Sequence, residues 1–312
     1  MKKALLPLII ASVLPTAAFA EVVVYGKANV ALQYTDKNAS DEKYTEVVSN
    51  ASRIGLKGSE VINDDLKAIY QFEYEARPDD GTGPFAQRNI YVGLQGSGGT
   101  GMIGMFDTPL KTSQEKVDLF NDLVGDLKTV LQGEVRAKNI VQYSSPAFSN
   151  VTVNAAFINA EKDASASRDG YSASVVYATK ELYLALAADK NADIASKALN
   201  PTESTQILRA VGRFNVGPVV LGAMYETYDD GVIDEDGYLA SAQWNIDAEW
   251  ALKAQYVQSD MMFDGNTSTS IGADYKLSKA TKLFGYATKV QDDRDPEVVD
   301  TTYVGVGIEL NF

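Results

Sequence analysis

The feature that most constrains the fold of this chain is an alternation of apolar and polar side chains that recurs in about sixteen runs. In residues 66–76, for example, Tyr70 and Phe72 share one face while Gln71 and Glu73 share the other. A period of two residues is that of a β-strand whose faces meet different surroundings. The runs cover residues 22–34, 52–58, 66–76, 87–95, 101–106, 139–146, 151–159, 171–179, 181–189, 205–216, 219–228, 238–246, 249–259, 267–277, 281–291 and 301–312. The chain is therefore predicted to be all-β.

The connections between these runs alternate in length along the chain. Seven are short, at residues 63–65, 96–100, 148–150, 179–180, 215–218, 246–248 and 278–280. Eight are longer and polar, at residues 35–50, 77–86, 107–138, 160–169, 190–204, 229–237, 260–266 and 292–300. This alternation is typical of an up-and-down antiparallel β-barrel that crosses a membrane. Strands of about ten residues are long enough to cross a bilayer when they are tilted.

A soluble β-sandwich is the main alternative, because its strands also carry one apolar face. A sandwich fills a single core with large aliphatic side chains. In this chain the apolar faces mix small residues with tyrosines near the strand ends, and polar residues follow the opposite face along whole strands. That distribution suits lipid outside and water inside, so the sequence favours a transmembrane barrel of about sixteen strands.

One connection, Asp107 to Lys138, differs from all the others. It has 32 residues, about twice the length of the other gaps. Its apolar residues lie three or four apart, at Val117, Phe120, Val124, Leu127 and Leu131. A connection of this size in a compact domain is usually functional. We expect this third long loop to fold inward against the barrel wall and to form a constriction.

The first twenty residues have the pattern of a secretory signal peptide. Lys2 and Lys3 precede an apolar stretch, Pro15 interrupts it, and Ala18-Phe19-Ala20 provides small residues around a cleavage site. A short buried helix is the alternative interpretation. The expected mature protein is a single barrel domain, residues 21–312.

Two residue types that carry much protein chemistry are absent, since the chain has no cysteine and no histidine. Disulfides, thiol chemistry, Cys or His metal sites and imidazole catalysis are therefore excluded. No catalytic, cofactor-binding or metal-binding residue is predicted, and the chain is not expected to be an enzyme. The net charge of −14 argues against nucleic acid as a partner.

A glycine-rich run, Gly96-Ser97-Gly98-Gly99-Thr100-Gly101, matches the pattern of dinucleotide-binding loops. Such a loop must open a helix, so that the helix N-terminus faces the pyrophosphate. Here the following residues, 102–106, continue as a strand, so a glycine hairpin turn is the better interpretation.

An acidic connection contains Asp229, Asp230, Asp234, Glu235 and Asp236. Its spacing does not match an EF-hand. A solvated loop is the simpler interpretation, and a loose site for a divalent cation is the alternative.

Several short blocks resemble the Gram-negative general porins of the neisserial and proteobacterial type, which are sixteen-stranded trimeric barrels. The blocks are Val24-Tyr25-Gly26-Lys27, Ser52-Arg53-Ile54-Gly55-Leu56-Lys57-Gly58, Arg88-Asn89-Ile90-Tyr91-Val92-Gly93-Leu94, Gly104-Met105-Phe106-Asp107-Thr108-Pro109 and the terminal Phe312. Their order spans essentially the whole mature chain. One position departs from the family, because Met105 stands where a basic residue is common.

The resemblance implies a general diffusion porin in the Gram-negative outer membrane, passing ions and small hydrophilic solutes. It implies a homotrimer surrounded by lipid and lipopolysaccharide. It also implies that the third long loop narrows the pore and that the C-terminal strand with Phe312 is read by the outer-membrane assembly machinery.

Charged residues in this arrangement are candidates for the pore lining, because charge at the narrowest level governs passage. The basic candidates are Lys27, Arg53, Lys57, Arg88, Arg209 and Arg213, and the acidic candidates are Glu115, Asp118, Asp122 and Asp126 of the long segment. Strand parity points all of the basic ones inward except Arg88, which requires a β-bulge or a position above the bilayer. The acidic segment and Met105 favour cations.

Two other functions remain open from the sequence. The barrel could be selective for one class of solute, or it could act as an adhesin or receptor without transport. The moderate loop lengths argue against elaborate recognition at the exterior.

Overall fold

The computed structural model describes residues 21–79, 85–160, 168–193, 204–293 and 299–312. The strand segments are β1 (Glu21–Lys37), β2 (Glu42–Ser49), β3 (Arg53–Val61), β4 (Lys67–Glu75), β5 (Ala86–Gly96), β6 (Gly99–Asp107), β7 (Arg136–Ser144), β8 (Val151–Ile158), β9 (Gly170–Ala178), β10 (Leu182–Lys190), β11 (Gln206–Val216), β12 (Val219–Asp229), β13 (Asp234–Asn245), β14 (Trp250–Ser259), β15 (Asn266–Lys276), β16 (Thr281–Asp292) and β17 (Val299–Asn311). The helical elements are α1 (Pro109–Thr112) and two 3₁₀ turns, Asn38–Ser40 and Leu127–Thr129. Among the described residues, no helix is long and apolar enough to span a bilayer.

All strand segments join one antiparallel sheet that closes on itself. The seam pairs β1 with β17, from Lys27 opposite Asn311 to Lys37 opposite Thr301. One half of β1 pairs with β2 and the other half with β3, so these two segments occupy one position in the barrel. They are separated at Ala51, which has a φ of 51°. The prediction of a sixteen-stranded up-and-down barrel is therefore confirmed.

Two connections predicted as long loops are tight hairpins instead. Residues 42–49 were expected to lie in the loop 35–50, but they form β2, which pairs with β1 from Val30 opposite Ser49 to Lys37 opposite Glu42. The connection 229–237 shrinks to residues 230–233. Polar strands that extend beyond a membrane lack the apolar alternation on which the sequence prediction relied.

The outer face of the barrel is apolar and exposed. On β17, for example, Val304, Val306 and Ile308 are each at least 46% exposed, while the inward Gly305 is buried. An apolar surface of this extent is not stable in water, and lipid is the solvent that suits it. A closed barrel satisfies its backbone hydrogen bonds between strands, which a bilayer requires.

Some predictions fall outside the described residues. The signal peptide, residues 1–20, lies entirely outside them, as do parts of the connections 77–86, 160–169, 190–204 and 292–300.

Candidate pore and its inward segment

The chain between β6 and β7, residues 108–135 and called here the inward segment, packs inside the barrel. Val117, Leu127 and Val130 are fully buried in a cluster that includes Leu239 of β13 and Val257 of β14. The apolar positions predicted to face the wall do so, but only α1 and one 3₁₀ turn are helical. The three-to-four spacing therefore reflects burial along a mostly irregular path.

Phe120 anchors the middle of the inward segment. Its side chain is fully buried against Phe284 and Tyr286, whose rings stack with centroids 6.2 Å apart. The ammonium of Lys253 lies 5.1 Å from the centroid of the Phe120 ring, within the range of a cation–π contact. Gly272 lies under the ring and leaves the room that it occupies.

Polar side chains of the wall satisfy backbone groups of the inward segment, which has little secondary structure of its own. The Ser241 hydroxyl donates to the Val117 carbonyl at 2.7 Å, and the Gln255 side-chain oxygen accepts from the Leu119 amide at 2.7 Å. The Tyr183 hydroxyl donates to the Ser113 carbonyl at 2.9 Å. Because buried backbone groups need partners, these contacts hold the segment in one path along strands β10 to β14.

Two acidic residues of the inward segment brace it internally. The Asp118 carboxylate accepts from the amides of Phe120 (2.9 Å) and Leu127 (3.0 Å). The Asp126 carboxylate accepts from the amides of Asp122 (3.0 Å) and Lys128 (3.0 Å). The expected position of Asp118 in the pore lining does not agree with the structure, because Asp118 is buried and its oxygens accept from amides of the segment and, at 2.9 Å, from the side-chain amide of Gln255 on the wall.

The inward segment also contacts β1 and β3 of the wall, through Asp122. This residue adopts a φ of 68°, and its carboxylate pairs with Lys27 of β1 at 2.5 Å and with the guanidinium of Arg53 of β3. Burial alone would raise the pKa of Asp122, but the positive charges of Lys27 and Arg53 hold it below its ordinary value. The wall contacts of the segment thus extend from β10–β14, through the Phe120 pocket at β16, to β1 and β3.

A polar cavity of about 580 Å³ lies between the inward segment and the wall. Its charged lining consists of the bases Arg53, Arg88, Lys111, Lys128 and Arg136 and the acids Glu75, Asp107, Glu115, Asp122, Asp126 and Glu134. Every one of these five bases is ion-paired. The cavity therefore contains many charged side chains, but their net charge is small.

A β-bulge explains how Arg88 faces the lumen although its position in the alternation points it outward. The register between β4 and β5 shifts between Phe72 and Tyr74, which places Arg88 on the lumen side. Its guanidinium pairs with Glu73 at 2.9 Å and with Glu75 at 3.0 Å.

The other basic candidates occupy different surroundings. Lys57 lies on the lumen wall with its ammonium 5.2 Å from the centroid of the Tyr25 ring. Arg213 pairs with Glu115 at 2.7 Å. Arg209 does not line the open cavity, contrary to the prediction, because the inward segment covers it and its side chain is 0% exposed.

The sequence did not identify several charges that line the cavity. Arg136 was assigned to the loop because β7 begins before the predicted run, at a point where Asn139, with a φ of 55°, disturbs the alternation. Lys111 and Glu134 lie near the two ends of the inward segment, outside its central acidic stretch. Proline favours the first turn of a helix, so the pair Thr108-Pro109 could have predicted the turn that positions Lys111.

In the acidic connection between β12 and β13, two carboxylates accept hydrogen bonds from backbone amides of the turn. Asp229 accepts from the Gly231 amide at 2.8 Å, and Asp230 accepts from the amides of Val232 and Ile233 at 2.9 and 2.8 Å. No group of acidic residues in the described part of the chain has the arrangement of a metal site. Asp229 and Asp230 thus close the turn through its backbone amides, and the solvated loop stays a prediction.

The inward segment should loosen as the pH rises, because of Asp118. Burial, together with the nearby Asp126 carboxylate, raises the pKa of Asp118 to about 7 from an ordinary value of 3.8. The folded segment thus binds the proton more tightly than the unfolded chain does, so its stability falls as the pH rises from about 4 to about 7, by roughly 1.4 kcal/mol per pH unit at most. We expect noisier single-channel currents at pH 8 than at pH 5. Asp118→Asn should remove this difference, and a difference that persists in the variant would contradict this assignment.

A closed barrel with an apolar exterior and a polar interior crossed by one long connection defines a class, the outer-membrane β-barrel channels. The chain belongs to the Gram-negative porin family, whose family model matches residues 8–295. A relative named major outer membrane protein P.IB, from Neisseria gonorrhoeae, is 28% identical over all of this chain and 90% of its own length.

Solved porin structures share the fold. An anion-selective porin from Comamonas acidovorans superimposes with a TM-score of 0.80 at 19% identity, covering 94% of this chain and all of the other. The outer membrane protein OmpT of Vibrio cholerae, with its loop L8 deleted, gives a TM-score of 0.72 at 17% identity, covering 94% of this chain and 99% of the other.

Proposed function

We propose that this protein is a general diffusion porin, a channel through which ions and small hydrophilic solutes cross the outer membrane passively. The observation that carries this proposal is the charge-lined cavity between the inward segment and the wall. A polar passage bordered by fixed charges lowers the cost of moving a hydrated solute through the membrane. The inward segment sets the width of this passage, so residues 107–138 are its constriction.

The passage discriminates weakly between ions of opposite charge. Six acids against five bases leave a small negative excess, and the bases are already paired. This balance supports a slight preference for cations, in agreement with the expectation from the sequence.

The remaining parts of the proposal follow from family membership. The protein is exported with residues 1–20 removed, assembles as a homotrimer among outer-membrane lipid and lipopolysaccharide, and presents Phe312 to the assembly machinery. It transports without catalysing a reaction.

Reconstitution into planar bilayers tests the channel directly. Each insertion of the folded protein should raise the membrane conductance by one step, with a current proportional to the voltage. Liposomes that carry the protein should swell faster in small sugars than in large ones. Heat-denatured protein is the control. Absence of steps would contradict the proposal, and saturable block by one solute would favour the solute-selective alternative.

A further inference from the structure

Among the described residues of the lumen, the most completely buried base is Arg209, on β11. Its side chain is 0% exposed, although its strand position points into the lumen. A charge removed from water is stable only when it is paired and fully hydrogen-bonded. Arg209 meets this condition, since its Nε donates to Glu226 at 2.5 Å and its Nη1 donates to Glu134 at 3.0 Å.

The other acceptors of Arg209 are backbone carbonyls at both ends of the inward segment. Nη1 donates to the Leu110 carbonyl at 3.3 Å, at the start of the segment. Nη2 donates to the Gln132 carbonyl at 2.9 Å, close to its end, where Glu134 also lies. One side chain on the wall therefore joins the outgoing and the returning stem of the segment, and Glu226 on β12 ties that side chain to the neighbouring strand.

This arrangement requires the planar fork of an arginine. Its donors point in fixed directions and can serve several acceptors at once, whereas a lysine ammonium is a compact point charge. The returning stem is shaped to match. Gly133 has a φ of 81°, and a β-carbon there would lie 2.6 Å from the Leu110 side chain and 3.1 Å from Nη2 of Arg209.

We propose that Arg209 is a positioning residue for permeation, which clamps both stems of the inward segment to β11 and so fixes the width of the passage. This inference rests on the proposed channel function. Arg209 touches no solute, because the segment covers it. Its effect on the current acts through the segment, whose tip at Asp122 pairs with Lys27 and Arg53.

The test compares Arg209→Lys with Arg213→Lys in planar bilayers. Both changes keep the charge, so the carboxylates around position 209 stay neutralised. Arg213 is a matched control on the same strand and face, also paired with the inward segment, through Glu115 alone. Folding is checked by the heat-dependent mobility of the barrel in gels, a property of the whole barrel that a loosened segment does not change.

We expect Arg209→Lys to give a folded barrel with several-fold greater open-channel current noise, added subconductance levels and closure at lower voltage. Arg213→Lys, which contacts the segment through one carboxylate, should change the noise by clearly less than Arg209→Lys does. Gly133→Ala disturbs the clamp without changing a charge, so it should show the same noise as Arg209→Lys. This second variant tests the clamp even if the lysine variant folds poorly. Folded Arg209→Lys or Gly133→Ala channels with unaltered noise would overturn the clamp. Failure of the unsubstituted protein to conduct would instead contradict the proposed function.

Discussion

A chain that lacks residues 118–126 is expected to conduct several times more current per channel than the intact chain. These residues include Phe120, which fills the pocket on the wall, and Asp122, which reaches β1 and β3. Removing them joins two residues that already lie against the wall, Val117 and Leu127. The lumen then loses the part of the inward segment that pairs with Lys27 and Arg53, and the passage widens toward the cross-section of the barrel.

Single-channel recording in planar bilayers measures this change, and exclusion of polymers of graded size measures the pore width independently. Deleting the exposed hairpin turn, residues 38–41, is the control, since it shortens a connection outside the lumen. Equal conductance for the intact chain and the 118–126 deletion would show that the constriction lies elsewhere.

Replacing Asp122 by asparagine is expected to shift the channel toward anions. The amide keeps the shape of the side chain but leaves Lys27 and Arg53 without the carboxylate that pairs with both. The interaction energy between a unit charge and an ion 4 Å away is about 1 kcal/mol even at the dielectric constant of water. The ratio of chloride to potassium permeability should therefore rise by about five-fold, since a tenfold change corresponds to about 1.4 kcal/mol.

The reversal potential in a KCl gradient reports this ratio. Glu115→Gln is the matched control, because Glu115 is also an acid of the inward segment at the cavity but pairs with Arg213 alone. The control should shift the reversal potential in the same direction and by less. A shift toward cations in Asp122→Asn would mean that Lys27 and Arg53 do not face the ion path.

The sequence predicted the barrel because the alternation of side chains is imposed by lipid on one face and water on the other. The same rule placed Lys27 and Arg53 on the lumen side and required either a bulge or a position above the bilayer for Arg88, and the structure contains the bulge. It failed for β2, whose residues Glu42 to Glu46 are mostly polar although they pair in register with β1.

The local sequence could not show which inward charges the segment covers. Arg209 and Arg213 have the same strand parity, but Arg209 is buried beneath the stems while Arg213 meets Glu115 at the cavity. Asp118 and Asp122 are likewise near neighbours on one segment. Asp118 accepts from amides of the segment and from Gln255, whereas Asp122 pairs with Lys27 and Arg53, a difference created by the irregular backbone between them.

The seam has a consequence for how the chain acquires its structure. The Gly26 amide donates to the Phe312 carbonyl at 2.8 Å, and the Phe312 amide donates to the Gly26 carbonyl at 3.1 Å, so β1 finds its second partner only in β17, which follows every other described strand. Until then β1 presents an unpaired edge, the kind of surface on which strands of other chains aggregate. Pairing at such sequence separation is also intrinsically slow. A nascent chain of this design therefore needs an escort for its free edge until β17 pairs with it.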